Sequence, residues 1–119
     1  MAYYVDGFLV PVPKRNLGAY LRMSRGAGKV WREYGALEYR ECVSDDLDHK
    51  GVYPFPRAIK LKKGELVVFS WIVYKSKSDR DRINAKILKD KRILKMMGRK
   101  SPFEPKRMAY GGFIVRVDL

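Results

Sequence analysis

The chain has 119 residues and a formal charge of +13, from 26 lysines and arginines against 13 acids, and 46% of it is hydrophobic with 13% aromatic. A chain of this length holds one core, so a single domain over residues 1–119 is expected, and the apolar content excludes intrinsic disorder despite the excess of cations. One cysteine, Cys42, excludes an internal disulfide, and the longest strongly apolar run, residues 66–74, falls far short of the roughly 20 that a membrane helix needs. With no apolar leader, the expectation is a cytoplasmic protein without a membrane partner.

Residues 3–12 are β-branched and aromatic and read as a first strand, with Pro11 and Pro13 bracketing its end because neither donates to a ladder. Asn16 is the expected cap of a helix whose inner face runs Leu17, Tyr20, Ser24, Ala27, Trp31 and Tyr34 at steps of three and four. Arg15, Arg22, Arg25, Lys29 and Arg32 take its outer face. Gly26 and Gly28 weaken that helix, yet small residues there allow a close approach to the sheet. Gly35 ends it, and Leu37, Tyr39, Glu41 and Val43 then alternate with Glu38, Arg40 and Cys42 in a polar strand expected near an edge.

Residues 45–57, with Gly51, Pro54 and Pro56, form a long loop and so a candidate for function. Residues 65–74 are the next strand, with two apolar sets: Val67, Phe69, Trp71 and Val73 on one side, Leu66, Val68, Ser70, Ile72 and Tyr74 on the other. Ser76 or Ser78 caps a second helix with Asp79 and Asp81 in its first turn and Ile83, Ile87 and Leu88 inward. A short helical stretch over 93–97 stops at Gly98, and a last strand is expected over about 107–117.

The order predicts an α+β, ferredoxin-like βαββαβ domain: a four-stranded antiparallel sheet with two helices on one face. The third strand is apolar on both sides, so the uncovered face needs a partner, and a second copy of the chain packed sheet to sheet is expected.

Several motifs recur together: Asp6-Gly7-Phe8 with Pro11-Val12-Pro13, Gly28-Lys29-Val30-Trp31-Arg32-Glu33, Gly35-Ala36-Leu37-Glu38-Tyr39 and Val68-Phe69-Ser70-Trp71-Ile72-Val73-Tyr74. With Lys106-Arg107-Met108 and Tyr110-Gly111-Gly112-Phe113, the chain resembles the YbaA-like family of uncharacterised proteins over nearly its whole length. That resemblance implies a dimeric α/β barrel, related in architecture to small antibiotic-biosynthesis monooxygenases and stress-responsive barrel proteins. The family pattern has histidines where this chain has Tyr34 and Asp79, so no proton-transfer role of theirs carries over.

Asp6 lies among apolar first-strand residues. Turned inward it has the raised pKa of a general base; otherwise it pairs with a nearby arginine or sits at the sheet's rim, and Glu41 raises the same question on the second strand. Trp31, Tyr39, Trp71 and Tyr110 are candidates to line an aromatic pocket between sheet and helices, or else pack as core. Asp45, Asp46, Asp48 and His49 are crowded in one loop, but no second histidine exists to complete a metal site, so neither metal nor cofactor is expected. Lys86, Lys89, Arg92, Lys95, Arg99 and Lys100 stand in the densest basic run, residues 86–107, which grips phosphates, faces solvent or wraps a partner. An RNA-recognition platform is absent, because its third-strand aromatic positions fall on Glu65, Val67 and Ser70. The leading expectation is a homodimer with a small-molecule pocket. The alternative is a basic RNA-binding accessory protein.

Overall fold

Side-chain alternation decides how the sheet is covered. In β3 (Glu65–Tyr74) Val68, Ser70, Ile72 and Tyr74 are buried. Strand residues directly opposite one another share a face, so β1 (Tyr4–Pro13) adds Tyr4, Asp6, Phe8, Val10 and Val12 to that side, and β2 (Glu38–Val43) adds Tyr39 and Glu41. β4 (Ala109–Ile114) pairs with β1, giving an antiparallel sheet of order β2-β3-β1-β4. The computed structural model describes residues 2–119. Its fold is α+β and ferredoxin-like, as the element order predicts.

Helices α1 (Leu17–Glu33) and α3 (Lys77–Ile87) pack on the Tyr4 side. One core cluster joins Val30 of α1 and Ile83 and Ile87 of α3 to Tyr4, Ile72 and Tyr74, and a second joins Tyr20 to Val10, Val12 and Val68. Ser76 caps α3 by accepting the Asp79 N–H, and Gly35, at φ +116°, lets the chain leave α1 in a conformation that side chains rarely adopt.

Several expectations need correction. The short helix α2 (Phe55–Ala58) interrupts the long loop, and α4 (Lys91–Met97) adds Ile93 to the first core cluster, so the cover comprises more than two helices. Pro11 lies inside β1, and Pro13, expected just past the strand, is its last residue. β4 pairs with β1 only as far as Leu9, so past that point β1 has a free edge on which a missing N–H costs nothing. Asn16 stands before α1 but makes no cap; its amide donates to the Pro102 carbonyl at 3.0 Å. Leu88 is 62% exposed, because α3 ends at Ile87 and the chain turns there. β4 starts later and ends sooner than expected, since a 3-10 turn over Pro105–Arg107 precedes it.

The opposite sheet face is apolar and only partly covered. Val5, Leu9, Val67, Phe69, Trp71, Val73 and Phe113 lie there, with Phe69 48% and Phe113 62% exposed. Phe55 of α2 stacks on Phe69 at 6.5 Å between ring centroids. Charge enters this face at its margins, through Glu38 and Arg40 on β2 and Glu65 with Arg107 at the end of β3.

Candidate functional site

Two polar constellations lie between the sheet and the helices. The first centres on Asp6, which is 1% exposed. Arg80, in the first turns of α3, donates from Nη1 to Asp6 Oδ1 at 2.9 Å and to the Tyr110 hydroxyl at 2.6 Å, and from Nη2 to the Tyr4 hydroxyl at 3.4 Å. Its guanidinium carbon stands 4.8 Å from the centre of the Tyr4 ring, a cation–π distance. Room for that ring comes from Gly112, where a Cβ would meet Tyr4 Cε2 at 2.7 Å. Arg80 Nε lies 2.9 Å from Asp81 Oδ1, but the angle makes this a charge contact and leaves the buried N–H without a hydrogen bond.

Burial pushes the Asp6 carboxyl above the ordinary aspartate range, and the Arg80 charge offsets part of that push, with Tyr110, Asn84 and Tyr74 adding smaller support to the anion. Burial likewise raises Tyr74, whose hydroxyl accepts from Trp31 Nε1 at 3.1 Å and donates to Asn84 Oδ1 at 3.3 Å. Three clefts at the surface, two between α1 and its neighbours and one beside Phe69, are lined by other residues. This centre is a buried ion pair wrapped in aromatic rings, with the exposed Tyr110 at its rim.

The second constellation centres on Glu41, on the edge strand β2. Its Oε1 accepts the Tyr20 hydroxyl at 2.9 Å, and its Oε2 accepts the Ser24 hydroxyl. A carboxylate only accepts, so the single Ser24 proton points to Glu41, and Tyr39, 2.9 Å from Ser24 Oγ, must donate to it. The hydroxyls thus form a chain, Tyr39 to Ser24 to Glu41. Burial, reinforced by the Glu41 charge and opposed by the Ser24 bond, pushes the Tyr39 phenol up to about 12, which keeps its proton in place. This group opens onto a cleft of about 830 Å³ between α1 and β2. Arg25, Lys29 and Arg32 line it from α1, with Glu33 at the end.

The four aromatic candidates do not line one pocket. Trp31 and Tyr39 sit together, 6.3 Å apart, and Tyr110 shares their face but lies at the other edge with Arg80. Trp71 lies on the opposite face, out of phase with Ile72 and Tyr74, where its Nε1 donates to Glu38 and its ring meets Phe69 at 5.4 Å. Of the basic candidates, Arg92 is neutralised by Glu33 at 2.8 Å and Asp90 at 3.0 Å. Lys86, Lys89 and Lys95 are exposed at the ends of α3 and α4, while Arg99 and Lys100 line a separate cleft beside α1. His49 is exposed and held to Asp46, and among the described residues no three of His, Cys, Asp or Glu converge.

Sequence reasoning passed over Arg80, Asn84 and Tyr20 as functional groups. Spacing offered a signal for each: Arg80, Asn84 and Ile87 form one stripe of α3, and Tyr20 and Ser24 are one turn apart on the inner face of α1.

Comparison with known proteins agrees with the architecture. Residues 3–105 match a family described as "Protein of unknown function (DUF1428)". The uncharacterized protein YbaA of Escherichia coli strain K12 is 44% identical over 115 residues, covering 97% of each chain, and the Shigella flexneri protein of that name is equally similar. Among solved structures, a dimeric ferredoxin-like protein from an uncultured marine organism superposes over the full length of both chains with a TM-score of 0.61 at 8% identity. Rv0793 from Mycobacterium tuberculosis does so with a TM-score of 0.51 at 16% identity, covering 100% of this chain and 98% of its own. No helix is long and apolar enough to cross a membrane among the described residues.

Proposed function

The chain belongs to the DUF1428 family of proteins of unknown function, and from the geometry at Glu41 we propose that it is a cytoplasmic homodimer, one domain per subunit, that binds a small anionic metabolite between α1 and β2. The observation that carries the reading is a carboxylate oriented by two hydroxyls at the mouth of a cleft whose helical wall is cationic. Such a site accepts a hydroxyl or ammonium donor at Glu41 while Arg25 and Lys29 take a carboxylate or phosphate. Hydroxy acids and amino acids combine those two features. Dimerisation is supported by the apolar outer sheet face and by the dimeric state in which the marine-organism neighbour is described.

The test is a thermal-shift screen of hydroxy acids, amino acids and sugar acids at millimolar concentration, followed by calorimetry. A ligand that raises the melting temperature should bind about tenfold or more weakly to Glu41→Gln, which keeps the shape but removes the charge. A screen in which none of these classes shifts the wild-type protein, or a Glu41→Gln variant that binds normally, refutes the reading.

A further inference from the structure

A second cleft, of about 660 Å³, runs along the other side of α1 and is bounded by residues 99–102. Arg15 and Arg22 line it from the helix side, Arg99 and Lys100 from the loop, and no carboxylate is present in its lining. The ion pairs of the described residues lie elsewhere, so none of these four cations is neutralised. Ala19, Met23 and Met96 supply an apolar wall. The two sides are held together at both ends. Asn16, free of capping duty, donates to the Pro102 carbonyl at 3.0 Å, and Gly26 lets Met96 approach α1 so closely that a Cβ there would stand 3.2 Å from its methyl. Phe103 then anchors the loop edge-on to Tyr20 at 5.6 Å.

Like charges gathered around one cleft repel one another, and an anion bound among them relieves that repulsion. We propose that this cleft binds a phosphorylated small molecule, its phosphates among Arg15, Arg22, Arg99 and Lys100 and its organic body against Met23 and Met96. The volume suits a mononucleotide-sized ligand, and the pinned loop makes the site pre-organised rather than a loose basic surface. It is separate from the Glu41 cleft and independent of that reading.

Calorimetry with pyrophosphate, ADP, adenosine and a single-stranded RNA 20-mer tests it, on the wild type, Arg22→Ala/Arg99→Ala and Lys63→Ala. ADP should bind about tenfold or more tightly than adenosine, the double variant should lose about tenfold or more of that affinity, and Lys63→Ala, at an exposed lysine outside both clefts, should leave it unchanged. The substituted arginines are exposed, and circular dichroism checks that the variant folds; Arg15→Gln/Lys100→Gln gives a second reading of the same site. Absence of binding by pyrophosphate and ADP overturns the proposal. So does tight RNA binding with a steep salt dependence while ADP fails to bind, which would mark a phosphate-backbone surface, and so does undiminished ADP binding by both double variants.

Discussion

Two glycines one half-turn apart in α1 should respond oppositely to the same substitution. In a helix interior Gly→Ala stabilises by about 1 kcal/mol through backbone entropy. At Gly28 that gain meets a collision, because the new Cβ would lie 2.7 Å from both Cδ1 and Cε1 of Tyr39, whose ring is tethered through its hydroxyl to Ser24. Overpacking of this kind costs about 1–3 kcal/mol. With a ring that cannot swing aside the upper part of that range applies, leaving a net loss of about 1–2 kcal/mol against the helix-propensity gain. At Gly26 the Cβ meets only the terminal methyl of Met96 at 3.2 Å, on a flexible side chain that yields cheaply. For 119 residues the unfolding entropy is about 0.25 kcal/mol/K, so 1 kcal/mol moves the melting temperature by about 4 °C. Circular dichroism melts at one fixed protein concentration should place Gly28→Ala about 4–8 °C below the wild type and Gly26→Ala level with it or up to about 4 °C above. A Gly28→Ala variant as stable as Gly26→Ala would refute the claim that α1 is seated on β2 through a bare backbone.

Asp6→Asn strips the Arg80 guanidinium of its buried counter-charge and should cost about 3 kcal/mol, part of which returns in Asp6→Asn/Arg80→Met; urea melts showing no loss in the single variant would sink the ion-pair account. Phe69→Glu/Phe113→Glu puts charge on the outer sheet face, and light scattering should show its mass falling from about twice 13.9 kDa to the single-chain value; a wild type already monomeric at tens of micromolar (about 50 µM) contradicts the dimer. Glu65 is held below the ordinary 4.5 of a glutamate chiefly by its hydrogen bonds to Arg107, so the unfolded chain takes up the proton first as pH falls. The stabilisation is therefore full above about pH 4.5 and lost below it as the folded carboxylate titrates, and Glu65→Gln should be less stable at neutral pH with a shallower acid limb; identical acid limbs would argue against it.

Much of the fold was legible because its signals are local. Alternation over residues 65–74 marks a strand apolar on both sides, and β3 spans Glu65–Tyr74. Steps of three and four from Leu17 to Tyr34 mark the inner face of α1, while Gly35 and Ser76 mark where helices stop and start. The polar strand expected near an edge is β2 at the edge. The candidate sites were less legible. Its place on a strand makes Glu41 a candidate, but its partners Tyr20 and Ser24 come from a helix whose rotation against the sheet no local pattern specifies. Aromatic character makes Trp71 and Trp31 joint candidates for one pocket, although the register of β3 puts them on opposite faces.

Period and punctuation along the chain thus determined the βαββαβ order, the two-faced third strand and the cationic outer side of α1, because each depends only on how neighbouring residues repeat. Tertiary structure alone decided that Arg80 finds Asp6, 74 positions away in the chain, that Asn16 pins Pro102 instead of capping its own helix, and that four unneutralised cations gather around one cleft. Those partnerships depend on which elements abut and at what angle. Such facts arise from the packing of the whole core, not from the spacing of any one segment.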